Sequence, residues 1–184
     1  MSLKESLDTL HEHGVSLASR TIVLDGEVDD KMTGVLIRGL EVLKQRNSNP
    51  IKLIINSEGG EVLQALAIYN LIQACAMHVT ITVVGECSSS ACIILQAADL
   101  RQSYPDALIM YHQGVSSSAS IATNEVDAFN AYEKKLDDRA NAIVYARMNA
   151  FKKITRAKFN KILTAGMYYT AAEAVEKGLV DEVL

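Results

Sequence analysis

Apolar and polar positions alternate along the first 114 residues in a way that predicts both strands and helices. Four short runs rich in β-branched and other apolar residues predict buried strands, at 21–24, 51–55, 79–84 and 107–111. Three stretches between these runs have helical patterns, at about 30–45, 61–76 and 88–98. Because strands that alternate with helices are typically parallel and joined by crossover helices, the pattern predicts an α/β fold.

The second half of the chain has a longer helical pattern. Residues 115–165 contain no glycine and no proline, and one stripe within 124–151 repeats at spacings of three and four: Val126, Phe129, Tyr132, Leu136, Ala140, Ile143 and Arg147. The stripe predicts one long helix, on the order of 40 Å at about 1.5 Å per residue. A compact domain of this size cannot contain that length, so part of the helix should project and contact a partner. Two helices with a short break near Asp137 and Asp138 are the alternative.

The C-terminal residues carry the signals of a short helix followed by a strand. Thr170 and Glu173 have the spacing of a capping box, and Gly178 follows Lys177 as a helix stop. The sequence therefore predicts a helix over 171–177 and a strand-like segment over 179–184.

Composition and charge limit the classes of function. The chain has 184 residues, 49% of them hydrophobic, enough for one domain with a core. The formal net charge of −4 gives no electrostatic basis for binding nucleic acid or an anionic membrane, so a small molecule, peptide or protein is the expected partner. The start lacks the apolar core of a signal peptide, and no apolar run is long enough to span a bilayer. We therefore expect a soluble, cytoplasmic protein.

The cysteines do not suggest a disulfide framework or a metal site. There are three of them, an odd number, with no Cys-x-x-Cys pair and no His/Cys cluster. Reduced thiols and no structural metal are therefore expected.

Unusual residues follow three of the predicted strands, where ligands of open parallel sheets usually bind. The segments are Asn56-Ser57-Glu58-Gly59-Gly60, Gly85 with the serines 88–90, and His112-Gln113-Gly114. Paired glycines can expose backbone N–H groups to an oxyanion, a serine at a helix start lies near the positive end of the helix dipole, and a histidine could accept its proton. Singly, these features are more often a tight turn, a helix cap and an ordinary polar residue. Their joint occurrence favours an acyl-transfer site.

Several stretches of the chain resemble the proteolytic subunit of the Clp protease, a family of serine peptidases. The resemblance runs from about residue 20 to residue 184 and is carried by LDGEVDD (24–30), INSEGGEV (55–62), AIY (67–69), GECSS (85–89), MYHQ (110–113) and TAAEAVEKGLVD (170–181). The family's Gly-Gly loop, Gly-x-x-x-Ser motif and His-Gln pair occur here in the same order and at similar spacing.

The resemblance implies a role for each candidate residue. The family's nucleophile stands four residues after the glycine of its motif, which is Ser89 after Gly85. The backbone N–H groups of Gly60 and Ser90 would form the oxyanion hole. His112 would be the general base.

The three adjacent serines cannot all act on one substrate carbon, because successive residues of a helix are turned by about 100°. With Ser89 as nucleophile, Ser88 is interpreted as a helix cap or helix-entry residue. Cys87 is an alternative nucleophile for His112, but it lies two residues too early, and a small apolar filler is the favoured interpretation.

One departure from the family concerns the carboxylate that orients the general base. The family has an aspartate four residues before the Ser or Thr that opens the last helix, and Gly166 occupies this position here. Either water, a backbone carbonyl or another residue must orient His112, or activity is very low, because replacing the aspartate of a serine protease costs about 10⁴ in turnover. The nearest substitutes, none supported by spacing, are Asn160, Asp99 and Asp138.

Three further departures are smaller. Glu58 stands where the family usually has proline, which places a charge beside the oxyanion loop. Gly114 replaces the proline that usually follows His-Gln. The residues before Arg20 do not match the family's axial-pore segment, which weakens the expectation of docking to an unfoldase.

The resemblance also implies the fold and the assembly. It predicts a crotonase-like (ClpP-like) α/β spiral with a long projecting handle helix in a single domain, 1–184, with an N-terminal segment (1–19), an α/β head (20–114), a handle region (115–165) and a C-terminal helix and strand (166–184). Two stacked heptameric rings would be interlocked by the long helix into a barrel. A partner AAA+ unfoldase would feed in unfolded proteins and use the ATP, since this chain has no G-x-x-x-x-G-K-[ST] loop. No cofactor or metal is implied for the chain itself.

The expected function is therefore that of an ATP-dependent, Clp-type serine endopeptidase subunit with an incomplete triad. A second hypothesis, motivated by Gly166, is a catalytically weak or inactive ring subunit with a structural or regulatory role. A third is a crotonase-type enzyme acting on acyl thioesters, which would need a catalytic carboxylate in the pocket, and only Glu58 lies near in sequence.

Overall fold

Eight strands and six helices form the part of the chain that a computed structural model describes, residues 14–114 and 125–184. The strands are β1 (Val15–Ser16), β2 (Thr21–Val28), β3 (Ile51–Gly60), β4 (Val79–Ser88), β5 (Leu100–Ser103), β6 (Leu108–Tyr111), β7 (Met167–Thr170) and β8 (Glu182–Val183). The helices are α1 (Asp30–Arg46), α2 (Val62–Gln73), α3 (Ser90–Leu95), α4 (Val126–Phe151), α5 (Arg156–Ala165) and α6 (Ala171–Lys177).

Strand β4 connects two groups of strands. The main sheet has the order β1-β2-β3-β4-β5-β8, in which all neighbours are parallel except β1 and β2. The first half of β4 pairs with β5, whereas its last residues pair with β6, from Glu86 with Leu108 to Ser88 with Met110. β7 adds to β6 in antiparallel orientation. The carboxyl ends of β4 and β6 are therefore neighbours, which determines where the site lies.

The main predicted elements are present. Strands β2, β3, β4 and β6 begin at or within one residue of the predicted starts, and β2, β3 and β4 continue several residues further along the chain. The sequence did not predict β1, β5, β7 or α5. The residues of β5 are mostly polar, but the strand is internal because it pairs with both β4 and β8, and its Arg101 and Ser103 are buried. The third predicted helix is shorter than expected, because β4 continues to Ser88.

The core lies between the sheet and the helices packed on it. Alternate residues of β3 are buried, and Leu36, Leu40 and Leu43 are buried on one face of α1. A Cβ atom on Gly39 of α1 would lie 2.6 Å from Ile22 Cδ1, so glycine allows the helix to approach β2 closely.

Helix α4 is continuous over its 26 residues, so the alternative of a break near Asp137 and Asp138 is wrong. Its length is about 39 Å at about 1.5 Å per residue. All its buried residues lie in the second half: Ala140, Ile143, Val144 and Met148. Arg147 fastens this half to the end of α3, because its guanidinium donates to Gln96 O at 3.0 and 2.7 Å and to Ala98 O at 2.9 Å.

The C-terminal signals in the sequence are confirmed. Thr170 and Glu173 form a reciprocal capping box at the start of α6, and Gly178 ends it with φ 75°. Residues 1–13 of the expected N-terminal segment and 115–124 of the expected handle region lie outside the described residues. In the rest of the chain no helix combines the length and the apolar character needed to cross a membrane.

Candidate active site

Ser89 lies at the turn between β4 and α3 in an unusual backbone conformation. Its φ and ψ angles are 54° and −121°, and positive φ is shared with one other non-glycine residue of the described chain, Arg20. Residues other than glycine avoid this region, which costs on the order of 1–3 kcal/mol. The Ser89 N–H donates to Met110 O at 2.9 Å, which helps to hold the turn. A serine on a strained strand-to-helix turn presents its hydroxyl outward, as a nucleophile requires.

His112 follows β6 directly and faces this serine. The distance between His112 Nε2 and Ser89 Oγ is 3.0 Å, within hydrogen-bonding range. The two residues are 23 positions apart, and the pairing of Ser88 with Met110 brings them together. A hydroxyl in contact with an imidazole is the arrangement of a nucleophile and its general base.

The two glycines at the end of β3 pack against different neighbours. A Cβ atom on Gly59 would lie 2.7 Å from Ser88 O and 2.8 Å from Ser89 Cβ, so this residue is in direct contact with the serine turn. A Cβ atom on Gly60 would lie 2.6 Å from Val28 O. Both have positive φ, 98° and 152°. The oxyanion role of the Gly60 N–H stays a prediction, and no signal in the sequence indicated that Gly59 is the glycine that packs against the serine.

The three serines occupy three different environments. Ser88 is the last residue of β4, is buried and donates its hydroxyl to Glu86 Oε2 at 3.1 Å. Ser89 is the N-cap residue of α3, so of the two roles predicted for Ser88, helix cap or helix-entry residue, the cap is wrong, because pairing with Met110 keeps Ser88 in the strand. Ser90 is the first residue of α3, and its buried hydroxyl has no partner among the described residues. Its oxyanion role, through the backbone N–H, stays a prediction.

Cys87 is fully buried in β4. Burial raises the pKa of its thiol well above the ordinary value, and the charges of Cys92 and Glu86 add to the increase. Since the thiolate is the nucleophilic form, this residue is unsuited to attack a substrate. The structure supports its interpretation as a small apolar filler.

Gly166 lies where a carboxylate could have met His112. β6 and β7 pair with Tyr111 opposite Met167, and the same antiparallel register continued by one residue places His112 opposite Gly166. Gly166 ends α5 with φ 80° and ψ 137°, and a Cβ atom there would lie 2.8 Å from Tyr168 Cε2. Within residues 14–114 and 125–184, His112 Nδ1 has no hydrogen-bond partner.

The substitutes named from the sequence form no hydrogen bond or ion pair with His112. Asp99 accepts the N–H of Val79 at 2.7 Å, and Asp138 forms an ion pair with Lys134 at 2.8 Å. Asn160 lies on the exposed side of α5 and shows no side-chain hydrogen bond to a described residue.

Sequence reasoning overlooked a carboxylate close to the segment that carries His112. A Cβ atom on Gly114 would lie 2.6 Å from Asp137 Oδ1, so this aspartate of α4 contacts the backbone two residues after His112. The replacement of the family's usual proline by Gly114 was the available signal.

Glu58, the carboxylate that a thioester enzyme would need, points away from the serine turn. It is exposed, whereas its neighbours Ser57 and Gly59 are buried. Alternate residues of a strand face opposite sides, so Glu58 and Gly59 face opposite sides of β3. No group of three or more His, Cys, Asp or Glu side chains in the described part of the chain is placed to hold a metal ion.

Comparison with known proteins agrees with this fold. The solved structure of a point mutant of ClpP1 from Listeria monocytogenes superposes with a TM-score of 0.79 over 91% of this chain and 92% of its own, at 22% sequence identity. The expected crotonase-like, ClpP-like α/β fold is thereby confirmed. The family model described as Clp protease matches residues 6–184. The chain belongs to the Clp protease family.

Proposed function

We propose that this chain is a serine endopeptidase subunit of the Clp type that cleaves peptides and unfolded proteins with Ser89 and His112. The observation that carries the proposal is the 3.0 Å contact between Ser89 Oγ and His112 Nε2, made at a strained turn that presents the hydroxyl. Membership of a family of serine peptidases supports the same reaction class.

The chemistry would proceed in two halves. His112 Nε2 takes the proton of Ser89 as Oγ attacks the peptide carbonyl carbon, and the Gly60 and Ser90 N–H groups donate to the oxyanion. His112 then protonates the leaving amine and the C–N bond breaks, which leaves an acyl-enzyme. Water attacks the acyl carbon with His112 as base, and Ser89 recovers its proton from His112. The chain's own groups and water suffice for these steps, so we propose no cofactor.

The rate is expected to be low unless another group orients His112. Gly166 supplies no side chain opposite the imidazole. This supports a second candidate function, a catalytically weak ring subunit with a structural or regulatory role.

A barrel of two heptameric rings is the assembly we propose. The first half of α4 supports it, because this half has no buried residue although Phe129, Tyr132 and Leu136 lie on its stripe. An uncovered apolar stripe on a long helix suits contact with another subunit. Feeding of the barrel by an ATP-dependent AAA+ unfoldase is proposed from the family resemblance alone. A cytoplasmic location is proposed because the odd number of cysteines favours reduced thiols.

Labelling of the purified protein with a fluorophosphonate tests the nucleophile. Mass spectrometry should find the adduct on Ser89, and the adduct should be lost in Ser89→Ala and strongly reduced in His112→Ala. Ser88→Ala is the matched control and should still be labelled. An adduct on Ser88 or Ser90, or none at all, would contradict the proposal. Peptidase assays with and without an AAA+ unfoldase then separate a slow enzyme from an inactive subunit.

A further inference from the structure

Two groups near the end of β6 have no hydrogen-bond or ion-pair partner among the described residues, although each ordinarily requires one. One is His112 Nδ1, which has no hydrogen-bond partner in the described ranges, although Nε2 contacts Ser89. The other is the Asp137 carboxylate, which is half-buried and forms neither a hydrogen bond nor an ion pair with a described residue. Its neighbour Asp138 differs, because that side chain is exposed and paired with Lys134.

Helix α4 directs Asp137 towards the residues that follow β6. One turn further along the helix, Asn141 Oδ1 accepts the Tyr111 hydroxyl at 2.9 Å. Residues four apart lie on the same face of a helix, so Asp137 and Asn141 both face the end of β6. The Tyr111 hydrogen bond therefore fixes the face of α4 that lies beside the general base.

Gly114 makes this approach of the carboxylate possible. A Cβ atom there would lie 2.6 Å from Asp137 Oδ1, closer than real contacts allow, and 3.2 Å from both Asp137 Cγ and Oδ2, which is tight. Any larger residue would push the carboxylate away from the segment that carries His112. Burial raises the pKa of Asp137, and the charge of Asp138 raises it further, while the charge of Lys134 offsets only part of the increase.

We propose that Asp137 is the positioning residue for His112, and that its carboxylate accepts the Nδ1–H, directly or through one water, in the working enzyme. This inference rests on the proposed serine-peptidase function. Gly114 and His112 are two residues apart, a Cα separation of at most about 7 Å, which an imidazole and a carboxylate can span. Catalytic hydrogen bonds are often long without substrate and shorten when it binds. The carboxylate would hold Nε2 towards Ser89 and stabilise the imidazolium that forms when His112 takes the serine proton.

The test measures the second-order rate of Ser89 modification by a fluorophosphonate, followed by mass spectrometry of the intact protein. Asp137→Asn keeps the shape and removes the charge, and it should lower the rate at least about tenfold. Asp138→Asn makes the same charge change on the adjacent residue and should stay within about twofold of wild type. Asp137→Glu restores the charge and should recover part of the rate, which a purely structural role for Asp137 does not predict. Thermal melts of each variant report on folding.

The outcomes separate this inference from the proposed function. If the wild-type protein is not labelled at Ser89, the proposed function fails and this inference fails with it. If the wild type is labelled at Ser89 and Asp137→Asn is labelled at the same rate as the wild type, only this inference fails. The same holds if Asp137→Asn and Asp138→Asn are labelled at equal rates. Should Asp137→Asn not fold, Gly114→Ala replaces it, because the added Cβ displaces the same carboxylate. A Gly114→Ala protein that melts like wild type and reacts at the wild-type rate would overturn the inference.

Discussion

Ser89 and Gly59 depend on each other for their conformations. Ser89 has φ 54°, a strained value. Gly59, with φ 98°, packs against the Ser89 side chain, because a Cβ atom on Gly59 would lie 2.8 Å from Ser89 Cβ. The absence of a side chain at Gly59 allows β3 to lie against the serine turn. The strain is local, and the packing of a neighbouring strand maintains it.

Gly59→Ala should therefore disable the nucleophile. The new Cβ would lie 2.7 Å from Ser88 O and 2.8 Å from Ser89 Cβ, and relief of that clash must move the serine. We expect fluorophosphonate labelling of Ser89 to slow by about a hundredfold or more. Gly26→Ala is the control, because Gly26 also has positive φ, 82°, but a Cβ atom added there would meet nothing within 4 Å. Equal labelling of the two variants would contradict this explanation.

Restoring a carboxylate at Gly166 is expected to fail. The backbone there, with φ 80° and ψ 137°, is a conformation that residues with side chains avoid, and Tyr168 lies at the Cβ position. Gly166→Asp should lower the free energy of unfolding by about 1–3 kcal/mol, measured in urea, without faster labelling of Ser89. Faster labelling of Ser89 at unchanged stability would contradict this expectation, because it would show that a carboxylate at position 166 can orient His112.

At the scale of secondary-structure elements, the two halves of helix α4 differ in burial and in what they contact. The second half contains all the buried residues of the helix and is hydrogen-bonded to the end of α3 through Arg147, and its Asn141 accepts the Tyr111 hydroxyl. The first half has no buried residue. One continuous helix therefore connects the region of His112, the proposed general base, to the surface that we propose contacts another subunit.

A charge on the stripe of the first half should weaken assembly. Tyr132 is 44% exposed in the single chain, and Tyr132→Asp would place a carboxylate in the proposed contact. We expect sedimentation to show smaller species than the wild type forms at the same concentration. Asn130→Asp, which adds the same charge at an exposed position, should sediment like wild type. A wild-type protein that is monomeric would remove the proposed role of the helix.

Across the molecule as a whole, Arg101 joins β5 to the C-terminal residues. Its buried guanidinium donates to Gln96 Oε1 at 2.8 Å, to Gly178 O at 2.7 Å and to the carboxylate of Asp181. These partners lie up to 80 residues away in sequence. These hydrogen bonds connect β5 to the residues that follow α6.

This ion pair should make stability depend on pH in the acid range where the Asp181 carboxyl titrates. Burial alone would raise the pKa of Asp181, but the hydrogen bonds and charge of Arg101 outweigh it, and the pKa is lowered. A lowered pKa stabilises the folded state above the ordinary value of about 3.9, and this stabilisation is lost as pH falls through the folded value. Asp181→Asn should lose on the order of 2 kcal/mol at pH 7 and show a smaller decrease in melting temperature towards pH 3. Asp106→Asn, at an exposed position, should follow the wild-type curve.

The α/β order, the long helix, the C-terminal caps and the placement of a serine and a histidine at strand ends could all be predicted from the sequence. These are local properties, because periodicity, capping and glycine placement act within a few neighbouring residues. Strand β5 could not be predicted, because its residues are mostly polar and its burial depends on pairing with β4 and β8.

Which of these residues meet depends on the tertiary structure. The pairing of β6 with the end of β4 sets the 3.0 Å contact between Ser89 and His112, and it keeps Ser88 in the strand. The packing of α4 brings Asp137 to Gly114, although helix and loop are far apart in sequence. Strand pairing and helix packing depend on side-chain contacts between residues far apart in the chain, and the periodicity of one segment does not identify its partners.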